Sequence, residues 1–152
     1  MASMPGDEID ILAKAKRALD RDYAPSEDEE YMSEQQLNYF RVLLLEWKKS
    51  ILSASEGTLQ SLQDGPIREP DLNDRASSET DWGIELRTRD RQRKLIAKID
   101  SALRRIDEGE YGWCEVTGEP IGIRRLIARP IATMTVEAQQ AHERREKISR
   151  DD

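Results

Sequence analysis

The sequence predicts a mainly α protein: a long antiparallel coiled-coil hairpin on a small base domain with a turn-rich knuckle and a C-terminal helix. Three observations predict it. Apolar residues recur at coiled-coil spacing from Leu37 to Thr58, and a second such seam runs from Leu95 to Ile106. Beyond Glu108 the texture changes to glycines, prolines and short apolar pieces. In a chain of 152 residues, 36% are charged and 37% hydrophobic, against roughly 25% charged in an ordinary domain, so much of it must lie on solvated faces.

Taken in chain order, residues 1–32 form an acidic arm. Ten acids against four bases fall within residues 1–36. Ile9, Leu12 and Leu19 at helical offsets predict a short helix, and Ala24-Pro25-Ser26 before an acidic run predicts a linker. Asp7, Glu8 and Asp10 stand where a secretory leader would carry bases and then an apolar run. No stretch approaches the roughly 18 apolar residues of a membrane span, and the reading is a soluble cytoplasmic protein.

Residues 33–108 form the hairpin. Ser33 with Gln36 three residues on is a capping box, which sets a helix start. From there Leu37, Phe40, Leu44, Trp47, Ile51, Ala54 and Thr58 alternate spacings of three and four, the seam of a left-handed coiled coil. Asp64-Gly65-Pro66 stops or bends the helix, because Gly costs backbone entropy and Pro removes a donor. The second arm runs from about Ala76 to Ile106, with Leu95, Ile99, Ala102 and Ile106 as its seam and Leu103 beside it. Two such stripes joined by a short connector are buried only by folding back on each other, with a tip near 64–76. At 1.5 Å per residue the arms are roughly 45 Å long.

Residues 109–152 form the base. Tyr111, Gly112, Trp113, Cys114, Gly118, Pro120 and Gly122 make the knuckle, Ile121-Gly122-Ile123 reads as a strand-like piece, and an amphipathic helix runs from Thr135 to about Ser149. The expected core is Ile121, Ile123, Leu126, Ile131, Met134 and Val136. So short a unit buries too little surface to stand alone and must pack on the hairpin.

Charge and cysteine count narrow the function. With 24 Lys and Arg against 31 Asp and Glu the net charge is −7, which opposes general adhesion to DNA or anionic membranes. The single Cys114 excludes an intramolecular disulfide framework. Against the overall charge, residues 87–105 hold eight bases and two acids, and Arg87, Arg91, Lys94 and Lys98 fall on one stripe beside the seam. By itself such a stripe reads as a solvated flank. Asp71 and Asp74 put two short carboxylates at an exposed tip, able to reach a Mg²⁺ or basic side chains. They equally suit an Asx turn after Pro70 and a cap for the second helix.

Several segments together resemble one family. They are Tyr31-Met32-Ser33-Glu34, the tip segment from Asp71 to Ala76, Glu85-Leu86-Arg87-Thr88-Arg89-Asp90-Arg91, Arg93-Lys94-Leu95-Ile96, and the run from Gly118 to Pro130. Over nearly the whole chain they resemble the DksA/TraR family of transcription factors, which insert a coiled-coil tip into the secondary channel of bacterial RNA polymerase. The resemblance implies a non-catalytic, monomeric regulator that changes the lifetime of promoter complexes, represses ribosomal RNA promoters and activates some amino-acid biosynthesis promoters. It implies roles for Asp71, Asp74 and Ala76 at the polymerase active centre, for Arg87 and Arg91 in polymerase binding, and for Lys98 and Arg129 in holding guanosine tetraphosphate at the interface. A further basic position of the family is Gln139 here. The alternatives are a Gre-like transcript cleavage factor, whose tip acids hold a Mg²⁺, and a plain coiled-coil adaptor. No helix-turn-helix or arginine-rich recognition helix suggests direct DNA binding.

The resemblance also exposes a departure. The family's base carries a C-x₂-C…C-x₂-C zinc knuckle, and the matching positions here are Cys114, Thr117, Thr135 and Ala138. A structural Zn²⁺ takes four Cys or His ligands, so the expected base has a degenerate, zinc-free knuckle and no metal cofactor. Thr117 then supports the turn before Gly118, Thr135 N-caps the last helix, Ala138 packs on its inner face, and Cys114 is a small buried hydrophobe.

Overall fold

The computed structural model describes residues 4–64 and 72–151. Five helices occupy them: α1 (Gly6–Ala18), α2 (Glu34–Asp64), α3 (Leu72–Glu108), α4 (Ile123–Ala128) and α5 (Val136–Asp151). The fold is the mainly α hairpin on a small base. Three polar contacts fix the hairpin's register. Arg41 pairs with Asp107, Lys48 with Asp100, and Ser55 meets Gln92. Each climb of seven residues along α2 is matched by a descent of seven or eight along α3, as an antiparallel pair requires. At 1.5 Å per residue, the 31 and 37 residues of α2 and α3 span roughly 47 and 56 Å. Helix α3 starts at Leu72, ahead of the expected Ala76, and residues 65–71 of the expected tip lie outside the described residues.

Ser33 caps α2. Its Oγ accepts the Gln36 N–H at 3.3 Å, while Gln36 Oε1 reaches back to the Met32 N–H at 2.7 Å. The Gln36 amide also donates to Ser26 O at 3.1 Å, so a fully buried polar side chain ties the linker to the helix. Along α2, Phe40, Leu44 and Ile51 are buried against Ile99, Ala102 and Ile106 of α3. Ala54 is exposed and Ser55 is buried in its place. A straight helix drifts about 20° per heptad from a 3.5-residue seam, and after two heptads that drift moves the contact by one residue. Thr58 belongs to α2, but its side chain lies outside the described residues.

A second cluster explains why the buried band on α2 is so wide. Met4 and Leu12 pack on Leu45 and Leu52, with Val42, Ile96 and Leu103 beside them. Helix α1 therefore lies along α2 on the flank away from the main seam. Its inward face is Glu8, Leu12 and Ala15. Ile9, expected inward, is 50% exposed. Glu8 turns in because Lys48, only 6% exposed, stands in the apolar band and takes Glu8 at 2.8 Å and Asp100 at 2.7 Å. Burial pulls the Lys48 ammonium down, and the hydrogen bonds to Asp100 and Glu8 outweigh it, holding the pKa above its ordinary value.

Helix α3 ends in a Schellman motif. Gly109 takes φ 77°, the Glu110 N–H bonds Arg105 O at 2.9 Å and the Gly109 N–H bonds Ile106 O at 3.3 Å. The chain then enters the knuckle, where the Cys114 N–H bonds Glu119 O, the Gly118 N–H bonds Cys114 O and Trp113 bridges to Pro120. Tyr31 stitches both sides of it: its hydroxyl donates to Gly112 O at 2.6 Å and accepts the Gly122 N–H at 2.9 Å. Gly112 is required there, since a Cβ would lie 2.5 Å from Met32 Sδ at a backbone φ of +91°.

Two expectations for the base are corrected. Ile121-Gly122-Ile123 is no strand: among the described residues only the Trp113–Pro120 bridge is sheet-like, and Ile123 opens helix α4. A lone edge has no partner to pair with, so its apolar residues are buried through a helical turn instead. Val136 is 43% exposed. Thr135 points inward to cap α5, accepting the Ala138 N–H at 3.1 Å, and that turns the next residue out. Tyr111, Cys114 and Ala132 join Ile121, Ile123 and Leu126 in the core, with Ile131 and Met134 at its margin.

Candidate functional site

Arg87, Arg91, Lys94 and Lys98 are all exposed along α3. They form a solvated cationic stripe on the flank of the hairpin seam. Among the described residues, Arg91 makes a 3.5 Å contact to Thr88 Oγ1 and Lys94 a 3.6 Å pair with Asp90, weak surface interactions that an anionic partner can displace. Arg105, by contrast, is structural. Its guanidinium donates to Trp113 O at 2.9 Å and to Glu110 O at 3.4 Å, holding the knuckle against the end of α3.

The stripe runs into a cleft of about 160 Å³ where the hairpin meets the base, lined by Lys98, Arg125, Arg129, Ser101, Thr133 and Gln139, among others. The fold thus brings Lys98 of α3 and Arg129 of the α4 C-cap together across some thirty residues of chain, with Gln139 of α5 at the rim. No carboxylate lines the cleft. Sequence reasoning did not single out Arg125. It lies four residues before Arg129 across the turn of α4, and the sequence pattern assigns no element to residues 124–134 that would relate the two.

The knuckle gathers three of the four degenerate metal positions around one sulfur. The Cys114 thiol is buried, which raises its pKa. Hydrogen bonds from the Thr117 hydroxyl and from the backbone N–H groups of Thr135, Thr117 and Val116 outweigh that and bring it to about 7. This donor set does not fit a tetrahedral zinc site. Thr135 Oγ1 already caps α5, Thr117 Oγ1 accepts the Glu119 N–H at 3.3 Å, and Ala138 offers a methyl group. His142 is exposed and pairs with Glu146 along α5. Among the described residues, no three of His, Cys, Asp or Glu are grouped to hold a metal.

At the far end, Asp71 lies outside the described residues. Asp74 and Ala76 sit in the first turns of α3, described by backbone alone.

Comparison with known proteins supplies the rest. Residues 36–106 match the family described as "DnaK suppressor protein DksA, N-terminal domain". Residues 109–144 match "Prokaryotic dksA/traR C4-type zinc finger", although only one cysteine stands in that segment. The chain is 63% identical over 131 residues to a Caulobacter vibrioides protein named "RNA polymerase-binding transcription factor DksA", covering 86% of this chain and 92% of that one. The Escherichia coli K12 protein of the same name is 42% identical over 125 residues, 82% and 83% of the two chains. In the solved structure of "transcription factor DksA2 from Pseudomonas aeruginosa" the likeness has a TM-score of 0.70 and 40% identity, covering 93% of this chain and 99% of that one.

Proposed function

The chain belongs to the DksA/TraR family, and from that premise we propose that it is a transcription factor that binds bacterial RNA polymerase and enters its secondary channel hairpin first. The observation that carries the reading is the registered hairpin, extended well beyond its base, in a chain 63% identical to a protein named for polymerase binding. Its family is one of transcription factors, not of enzymes. The tip carboxylates of Asp71 and Asp74, with Ala76 beside them, act next to the polymerase active centre, while Arg87 and Arg91 hold the stem at the channel. A buried ion centre and two apolar clusters join the two arms of the stem.

In this reading Lys98 and Arg129 hold guanosine tetraphosphate between factor and polymerase, since a dense polyphosphate needs converging cations and Arg binds it bidentately. The nucleotide then strengthens repression of ribosomal RNA promoters and activation of some amino-acid biosynthesis promoters. The protein works as a cytoplasmic monomer and makes no specific DNA contact of its own, in keeping with its charge of −7. No helix among the described residues is long and apolar enough to cross a membrane. Its base folds without zinc, held by packing and by the Tyr31, Tyr111 and Thr135 hydroxyls.

A photoreactive residue at position 73 tests the docking. Crosslinking to polymerase subunits around the active centre is expected, together with loss of promoter control in Asp74→Asn, which keeps size and capping ability but deletes the charge. Full regulation by Asp74→Asn, or crosslinks confined to the polymerase exterior, overturns the reading.

A further inference from the structure

The flank of the hairpin that carries α1 holds a cavity apart from the sites described above. Met4 and Leu12 cover Leu45 and Leu52, with Ile96 and Leu103 beside them. Past the first turn of α1, towards the tip, a cavity of about 260 Å³ stays open between the two arms, and its apolar part is Pro5, Leu52 and Ile96. Arg89 and Arg93 line the same cavity. Each stands two residues beyond Arg87 and Arg91, roughly 200° around α3, so the cavity is separate from the cationic stripe and from the cleft at the base.

The polar side of the cavity is cationic. Its lining holds three bases, Lys48, Arg89 and Arg93, against the one acid Asp100. Lys48 is engaged by Asp100 at 2.7 Å and by Glu8 at 2.8 Å, so the cations left for a ligand are the two arginines. Among the described residues the Arg89 side chain has no ion pair or hydrogen bond, and Arg93 meets Asp90 at 4.0 Å. Gln92 Oε1 meets the Ser55 hydroxyl at 3.4 Å, which leaves the Gln92 amide N–H groups as further donors. An apolar trough headed by two guanidiniums and an amide matches a molecule with one apolar tail and one anionic end, and arginine binds a carboxylate through paired hydrogen bonds. The volume falls just below the roughly 300–1,000 Å³ of sites for drug-sized ligands, which limits the tail to about eight carbons. We propose that this cavity binds a medium-chain carboxylate, its tail on Leu52 and Ile96 and its head between Arg89 and Arg93. Such a ligand touches Pro5 as well as both arms and so fastens the start of α1 to the hairpin.

The test is an NMR titration of the full-length protein with sodium octanoate below its micelle concentration. Saturable one-site shifts are expected at the amides of residues 52–55 and 89–96, with slower amide exchange in the first turn of α1. Affinity should rise about fourfold per methylene from hexanoate to octanoate, and octan-1-ol should bind far more weakly. The double variant Arg89→Gln/Arg93→Gln should weaken octanoate binding by at least about tenfold, while Arg144→Gln on exposed α5 leaves it unchanged. Melting curves separate binding from folding: if the double variant melts early, Arg93→Gln, at a side chain 74% exposed, decides with a severalfold loss. Absence of saturable shifts, shifts confined to other faces of the chain, or unchanged binding by the well-folded variants overturns the site. Equal binding of octan-1-ol or octylammonium overturns the carboxylate, and unaltered exchange in α1 overturns its fastening.

Discussion

Burial alone would raise the Cys114 thiol above its ordinary value, yet hydrogen bonding from Thr117, Thr135 and Val116 brings its pKa down to about 7. Stability follows with a definite sign. A thiol depressed from an ordinary value of 9.0 contributes folding free energy that is fully present above that value and is lost as pH falls through about 7. The urea midpoint of the wild type relative to Cys114→Ser should therefore rise between those two pH values, and a difference that stays flat contradicts the hydrogen-bonded thiolate. That Cys114 is a small buried residue was legible in the sequence, because a lone Cys among turn residues has nothing to pair with. Its acidity was not, since the donors at Val116, Thr117 and Thr135 come from two separate segments. Arg125 was hidden for a related reason: without the α4 helix, nothing relates it to Arg129.

Among the elements, α1 shows how far periodicity reaches. Ile9, Leu12 and Leu19 located a helix, but the face it presents was decided by Lys48, which draws Glu8 inward and leaves Ile9 in solvent. A charged residue turned towards a core does not register in an apolar pattern. The Lys48 centre makes asymmetric demands on its partners. Glu8→Ala leaves Lys48 paired with Asp100, so its cost should be about 1 kcal/mol and confined to faster amide exchange in α1. Lys48→Ala strands two carboxylates beside an apolar band and should cost about 2–4 kcal/mol, read from denaturant unfolding of the whole chain. Equal costs for the two would mean that the ammonium is not shared. Helix α2 repeats the lesson at lower stakes. Its heptad seam predicted Phe40, Leu44 and Ile51 correctly and then slipped from Ala54 to Ser55, because a helix period of 3.6 does not divide the repeat.

For the whole molecule, side-chain hydrogen bonds span the base where a four-cysteine knuckle would be cross-linked by a metal ion. Tyr31 spans the knuckle from Gly112 to Gly122, and the Tyr111 hydroxyl donates to Pro130 O at 2.7 Å. Purified protein should carry far less than one zinc per chain by elemental analysis, and a strong chelator should move neither its melting temperature nor its activity on polymerase. Stoichiometric zinc, or a chelator-induced loss of fold, would sink that reading. Tyr31→Phe, which removes both hydroxyl contacts without changing the ring, should lower stability by about 1–3 kcal/mol because the Gly112 and Gly122 backbone groups lose their partner. The fold class, the two arms and their reversal were determined by the sequence alone, because a coiled-coil repeat is local and admits few ways of being buried. The cleft at the hairpin base, the third cation in it and the face of α1 were decided only by tertiary structure. Each joins residues distant in the chain, and no local period records which of them meet.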